Sequence, residues 1–294
     1  MVLLLEWKIV AEQIKNELKS YFNKPHYKDK FVAIYMLGDN HPGNVYVKSK
    51  VKFAKEIWLK TKIIWASSFD GEAIHFETHT QLIAHIKKLN TDKNCIWIMV
   101  QLPLWEYLVP YKSEILASID AIKDIDWLSW KLFWLSSIDY IDFVPATPAS
   151  VLSLLNYYKL DNFIGKKVAI LGQSNLVWKP LAVEIIRRWG EVFSFNEFCD
   201  PRIVREICKI SDIIISATWK NLLIDENFVR DDQSQILVDV GRWFIDWKPV
   251  GDVNFEKVKN KVKAITPVPG WVWPLTVANL FNNIRVIENL KEKL

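Results

Sequence analysis

The stretch Lys166-Lys-Val-Ala-Ile-Leu-Gly-Gln-Ser-Asn-Leu-Val-Trp-Lys-Pro180 joins a basic-flanked apolar run to a glycine, a short polar turn and the helical pattern of Leu181 to Arg188. A buried parallel strand reads as such an unbroken apolar run, and the glycine at its end permits a sharp turn into the helix. Strand, tight turn and helix N-terminus together make a natural phosphate site, because unpaired backbone N–H groups and the helix dipole face the anion. Turns of this shape also occur in α/β proteins that bind no nucleotide. The usual dinucleotide fingerprint has a second glycine where the cofactor approaches the backbone, and Trp178 stands there.

On either side of this stretch the pattern alternates. Downstream, Glu191 to Phe195, Ile213 to Ala217 and Ile236 to Gly241 read as short strands between helical runs. Upstream, Ile9, Ile14, Leu18 and Phe22 mark an amphipathic helix, and Phe31 to Leu37 is an apolar strand entering a turn at Gly38. Tyr46 to Lys60 has helical character, Ile63 to Ala66 is strand-like, Thr78 to Leu89 is helical, and Cys95 to Gln101 is an apolar strand stopped by Leu-Pro. The pattern breaks near Pro145-Ala-Thr-Pro148, where the helix Ala149 to Tyr158 leads toward Lys166. Such βαβα order predicts two α/β domains with mostly parallel sheets, the second Rossmann-like. The boundaries expected are 1–143 with a returning terminal helix over 274–294, and 144–273.

The 294 residues, 50% hydrophobic and 24% charged, are those of a globular chain with a substantial core. A net charge of +4 is spread along the chain, so neither a nucleic-acid stripe nor an acidic tail is indicated. No apolar run approaches the ~18 residues of a membrane span. Glu6 and Lys8 interrupt the short leader Met1 to Leu5, so the expectation is a cytoplasmic protein without membrane contact. Three cysteines without CxxC spacing read as reduced thiols. The segment holding His75, Glu77, His79 and His85 lacks zinc-protease spacing, and no metal is expected. There is no paired Ser–His or Cys–His signal and no GxxxxGK[ST] loop, which disfavours nucleophilic hydrolases and NTPases.

Tyr46 and Lys50, four apart on a predicted helix, share a face and can converge on one ligand. A partly desolvated lysine beside an aromatic hydroxyl has a lowered pKa suited to proton transfer. The same spacing equally describes a surface lysine beside a half-buried tyrosine.

Several motifs, in one order and spacing over nearly the whole chain, resemble those of the bifunctional methylenetetrahydrofolate dehydrogenase/cyclohydrolase family. They are Leu37-Gly-Asp-Asn, Tyr46-Val-Lys-Ser-Lys50, Val100-Gln-Leu-Pro-Leu104, Lys123-Asp-Ile-Asp126, Pro145-Ala-Thr-Pro148, Gly172-Gln-Ser, Val238-Asp-Val-Gly241, Gly251-Asp-Val253 and Thr266-Pro-Val-Pro-Gly270. The resemblance implies a folate cleft between two domains, oxidation of 5,10-methylenetetrahydrofolate with NAD(P), and hydrolysis of the methenyl product to 10-formyltetrahydrofolate. It implies that Lys50 is the central cyclohydrolase residue, that Tyr46 stacks on the folate, that Gln101 orients Lys50, and that Asp126 accepts from the pterin's donor edge. Val100, Leu102, Pro269 and Gly270 complete the implied substrate site, and Gly172, Gln173, Ser174, Trp178, Glu197 and Arg242 the implied cofactor site. A homodimer is implied as well. Gln173 stands where the family has arginine, and Glu197 lies 25 residues past Gly172, where an acid binds a free ribose hydroxyl. Both favour NAD over NADP, whereas Arg242 offers a compensating charge for a phosphate.

Glycine ordinarily makes up about 7% of a protein, yet this chain has 9 glycines and 15 tryptophans. Trp7, Trp58, Trp97, Trp127, Trp134, Trp178, Trp219, Trp247, Trp271 and Trp273 stand where the resembling family has glycine. Glycine serves where φ is positive or something packs on the backbone, and the largest side chain is its worst substitute. A gene that uses UGA for glycine, translated with UGA as tryptophan, accounts for the pattern, since the two counts together reach an ordinary glycine content. The alternatives are a tryptophan-rich, catalytically inactive paralogue and a dehydrogenase with weak cyclohydrolase activity.

Overall fold

The computed structural model describes residues 2–38, 41–64, 76–126, 130–138, 140–174, 178–218, 220–241, 243–245, 248–268 and 272–290. The side chains of 41, 42, 130, 243–245 and 290 fall outside this description. In chain order the elements are β1 (Leu3–Leu4), α1 (Trp7–Phe22), β2 (Phe31–Met36), α2 (His41–Glu56), β3 (Lys60–Ile64), α3 (His79–Thr91), β4 (Cys95–Gln101), α4 (Lys112–Ala117), α5 (Trp130–Ser137) and α6 (Ala146–Tyr157). They continue with β5 (Lys167–Leu171), α7 (Trp178–Arg187), β6 (Glu191–Phe195), α8 (Pro201–Ile210), β7 (Ile213–Ser216), β8 (Ile236–Asp239), β9 (Trp243–Ile245), β10 (Lys248–Val250), α9 (Phe255–Val258), β11 (Ala264–Ile265) and α10 (Trp273–Leu290). They form two compact units, one of residues 13–146 with 277–294 and the other of 1–12 with 147–276.

The first unit is built on a parallel sheet of order β3-β2-β4. Its central strand β2 is buried at every residue, which is why Phe31 to Met36 shows no polar alternation. Phe31, Ala33 and Tyr35 share a core with Ile98 and Val100 of β4 and Leu82 and Ile86 of α3. Helix α3 starts where Thr78 accepts a hydrogen bond from the Gln81 N–H, an ordinary N-cap. Helix α10 is tied in by Asn283, whose amide donates to the carbonyls of Ile125 and Val144, and by Phe281 stacked on Phe53. Glu288 near its end accepts from the hydroxyls of Tyr21 and Tyr27.

The second unit holds a parallel sheet of order β1-β11-β8-β7-β5-β6. The chain winds from β5 outward to β6, then crosses to the other side at β7, so the strand order reverses between β5 and β7. Ligands of open α/β sheets bind at the carboxyl ends of strands at such a reversal. Gly172 ends β5 there, next to Ala217 at the end of β7. The edge strand β1 departs from the expected boundaries: Leu3–Leu4 pairs with β11, so the first twelve residues belong to this unit rather than to the first. Two residues are too few to show a strand period, which is why the sequence does not reveal it.

Beyond β8 the chain makes an excursion through the β9–β10 hairpin and returns at Gly251. Its base is closed by two buried carboxylates. Asp239 accepts from the N–H groups of Gly241, Asp252 and Val253, while Asp252 accepts from the Ser216 and Thr218 hydroxyls and the Thr218 N–H. Gly241 and Gly251 leave room for this interlock, because a Cβ on either would run into the other strand's carboxylate. Burial, and next the charge of Asp252, push the Asp239 carboxyl up to about 7.

Candidate functional site

The first unit gathers four of the residues singled out in the sequence. Tyr46 and Lys50 lie on one face of α2, Gln101 ends β4, and Asp126 follows a short 3-10 turn at Ala121–Lys123. Lys50 is 1% exposed. Its Nζ lies 2.9 Å from Met99 Sδ, 3.2 Å from Gln101 Oε1 and 3.9 Å from Asp126 Oδ2, with the Tyr46 ring centroid 4.2 Å away. Gln101 is itself oriented, because its Nε2 donates to the Leu102 carbonyl and so leaves Oε1 to face the amine.

Two opposing effects act on Lys50. Taking an ammonium out of water costs several kcal/mol, whereas a carboxylate at ~4 Å returns about 4 kcal/mol at an effective dielectric of ~20. Desolvation is the larger, so the Lys50 pKa falls below its ordinary value while Asp126 holds it part of the way up. Burial, seconded by Asp126, pushes the Tyr46 hydroxyl further above its usual range, so the phenol stays neutral. A lysine readily neutralised beside a neutral phenol and an oriented amide is equipped to take and return a proton.

The turn that presents Gln101 is set by close packing. The Leu37 carbonyl accepts from the Trp105 N–H at 2.6 Å, and a Cβ on Gly38 would meet the Pro103 carbonyl. Leu102 packs at the margin of the core. Val100 points into that core, on the opposite face of β4 from Gln101, so only its backbone borders the amine site. Lys123 is spent on the end of α3, donating to the Leu89 and Asp92 carbonyls, and Asp124 is buried. His79 stacks on Tyr111, and His85 bonds the Tyr35 hydroxyl. Met99 had no signal in the sequence, because a strand buried on both faces does not show which residues point toward a site.

In the second unit Gly172 has φ +123°, a conformation favouring glycine, at the strand-order reversal. Gln173 donates to the Ser194 carbonyl and accepts from Asn196, which fastens the turn to the end of β6. The Ser174 carbonyl accepts from the first N–H groups of α7. Glu197 is exposed just beyond β6. The Trp178 indole lies where a Cβ on Gly172 would project, 2.8 Å from that position at Cδ1, and the side chain is 2% exposed. Strand, turn and helix start therefore fit a dinucleotide, while the indole of residue 178 occupies the close-approach position and does not. Arg242, Pro269 and Gly270 lie outside the described residues, as do Trp127, Trp219, Trp247 and Trp271.

One α/β unit thus holds a buried lysine beside a phenol, an amide and a carboxylate, and the other a doubly wound parallel sheet of the dinucleotide-binding class. Residues 5–126 match the family model of the tetrahydrofolate dehydrogenase/cyclohydrolase catalytic domain, and residues 145–292 that of its NAD(P)-binding domain. The bifunctional protein FolD of Sulfurihydrogenibium sp. is 33% identical over 297 residues, covering 100% of this chain and 99% of the relative. That of Fusobacterium nucleatum is 35% identical, covering 96% of each chain. Among solved structures, the bifunctional FolD enzyme of Campylobacter jejuni superimposes with a TM-score of 0.87 at 32% identity, covering 100% of both chains. The chain belongs to this family, the bifunctional methylenetetrahydrofolate dehydrogenases and methenyltetrahydrofolate cyclohydrolases.

Proposed function

We propose that the chain oxidises 5,10-methylenetetrahydrofolate to the methenyl cation and hydrolyses that cation to 10-formyltetrahydrofolate, with Lys50 as the proton-transfer group of the second step. The observation that supports this most directly is the burial of Lys50 between Gln101, Met99, Asp126 and the Tyr46 ring. NAD(P) supplies the hydride acceptor of the first step when bound. In the second step a water oxygen bonds to the methenyl carbon, Lys50 takes a proton from it, and the carbon–nitrogen bond opens as that nitrogen is protonated, with one proton released overall. The cation is already electrophilic, so this chemistry asks for neither a metal nor a serine nucleophile. Tyr46 stacks on the folate, Asp126 accepts from the pterin's donor edge, and Val100, Leu102, Pro269 and Gly270 complete the substrate site. Lys50→Met is expected to lower methenyl hydrolysis at least 10²-fold and hydride transfer far less. Equal retention of both activities would remove Lys50 from this role.

The cofactor site comprises Gly172, Gln173, Ser174, residue 178, Glu197 and Arg242, in the NAD(P)-binding unit of residues 1–12 and 147–276, and residues 13–146 with 277–294 bind the folate. The two family models likewise change over between 126 and 145, the second running on to 292. NAD is favoured over NADP: Gln173 offers an uncharged amide already engaged by Ser194 and Asn196, and Glu197 is exposed just past β6. The chain acts as a cytoplasmic homodimer, in keeping with the family resemblance. Among the described residues no helix is long and apolar enough to cross a membrane.

The gene's UGA codons stand for glycine, so that residue 178 is glycine in the native protein. Backbone geometry supports this at positions beyond the cofactor turn. Trp58 and Trp189 have φ of 65° and 63°. Each follows a helix whose final turn closes by a hydrogen bond from the next residue back to the carbonyl five before it, the cap in which glycine is the usual residue. Lys159 occupies a third such cap. Trp189, at 79% exposed, gains little burial in return for the strain. The test is the mass of the native tryptic peptide Val168 to Arg187, which contains the single tryptophan position 178. A mass showing glycine establishes the reassignment. One showing tryptophan defeats it and leaves the cofactor turn blocked.

A further inference from the structure

We propose that Met99 is a positioning residue for the cyclohydrolase step, its thioether holding the Lys50 amine in place. The proposal rests on the reading of Lys50 as the proton-transfer group.

Residues Met99 and Gln101 are two apart on β4, so they present to the same face of the sheet, the one that receives Lys50. Met99 is fully buried. An ammonium has three N–H donors, and the acceptors around this one are unequal. The sulfur lies nearest, at 2.9 Å, the Gln101 oxygen at 3.2 Å and the Asp126 carboxylate beyond direct bonding at 3.9 Å. The titratable groups facing Lys50 are Tyr46 on its own helix and Asp126 from the segment after the 3-10 turn, while β4 brings the neutral Met99 and Gln101.

A thioether is a weak, polarisable acceptor. It satisfies a donor that burial would otherwise leave orphaned, so Nζ keeps one position while charged. It binds that donor too loosely to lock the charge in place, so the amine gives up its proton readily. Leucine, of similar volume, keeps the packing and deletes the acceptor. Glutamine would supply a stronger one.

The experiment compares the protein with its Met99→Leu, Met99→Gln and Lys50→Met variants, following methenyl hydrolysis and hydride transfer against pH. The limb of the hydrolysis profile that belongs to Lys50 is the one Lys50→Met abolishes. Met99→Leu should move that limb to lower pH by about half to one unit, the size expected when one hydrogen bond of ordinary strength is lost, while hydride transfer changes less than about twofold. A Met99→Gln protein that folds should move it the other way. Lysine-labelled NMR reads the same displacement without turnover, since the resonance missing from Lys50→Met should titrate lower in Met99→Leu. Coincident profiles for the protein and Met99→Leu, or a lower rate at unchanged limb position, would overturn the positioning role while leaving Lys50 in place. Undiminished hydrolysis in Lys50→Met would overturn the underlying reading, and the Met99 proposal with it.

Discussion

Consider two proteins, both with glycine at the other positions where tryptophan stands for the family's glycine, differing only by Trp178→Gly. With tryptophan, the indole lies over Gly172 at the strand-order reversal and is almost wholly buried. A dinucleotide seats at that turn only if the indole is displaced, and displacement forfeits its burial. A buried aromatic covers ~150 to 250 Å², which at ~25 cal/mol per Å² amounts to about 4 to 6 kcal/mol. At 1.4 kcal/mol per decade, the tryptophan form should bind NAD at least ~10³-fold more weakly. Without cofactor the order reverses, because Trp178→Gly leaves a cavity and should lower stability by about 3 to 5 kcal/mol. Calorimetric titration with NAD and NADP, together with urea unfolding of the ligand-free proteins, reads both effects. Opposite signs in the two assays separate an opened site from general loosening. Binding within threefold in the two proteins would show that the indole does not obstruct the turn, and would refute the argument for glycine at 178.

Restoring the family's arginine with Gln173→Arg should raise NADP use relative to NAD by tenfold or more, as a charge-assisted contact to a 2′-phosphate is worth ~1.5 to 3 kcal/mol; an unchanged ratio of kcat/KM would defeat the preference argued from Gln173. The native Asp239 carboxyl holds its proton up to about pH 7, whereas an unfolded aspartate releases it near 3.9. This group's contribution is therefore complete below about pH 4 and is lost as pH rises to about 7, with an upper bound of ~4 kcal/mol at 1.36 kcal/mol per unit. Asp239→Asn should flatten that decline in urea midpoints between pH 4.5 and 7.5, at a roughly constant cost from its mismatched amide, and a slope equal to the parent's would mean that another group is responsible. Gly38→Ala drives a methyl into the Pro103 carbonyl, so a loss of ~1 to 3 kcal/mol is expected with hydrolysis falling more than hydride transfer; unchanged melting and rates would show that the Leu37 turn does not set the position of Gln101.

Legibility in the sequence followed burial. Cys95 to Gln101 reads correctly from end to end, because a buried parallel strand appears as an unbroken apolar run; Glu191 to Phe195, a half-exposed edge strand, shows instead through Val192, Phe193 and Phe195, residue types that favour strands. Helix α2 begins five residues before the periodicity at Tyr46 shows it, since its first turn carries a proline, a glycine and an asparagine that read as loop. The hairpin β9–β10 went unread because it is short. The shared face of Tyr46 and Lys50 is plain from spacing, but the burial of Lys50 is not, because a lysine in sequence is presumed exposed. The Asp239–Asp252 interlock was hidden for a different reason. Each aspartate closes an apolar run and reads as a strand end, and only the fold brings the two ends together.

Strand β1 and helix α10 have a consequence for biosynthesis. The unit that houses Lys50 takes in residues from 277 onward, and the one that houses Gly172 runs from the first strand to residue 276. On the ribosome, then, neither unit can close until nearly the whole chain has been translated. The three-stranded sheet emerges early and has to wait, without the helix that carries Phe281 and Asn283, through the synthesis of some hundred and thirty intervening residues. Its nascent form exposes the apolar face that α10 later covers, so through that interval this polypeptide depends on whatever shields such a surface in the cell.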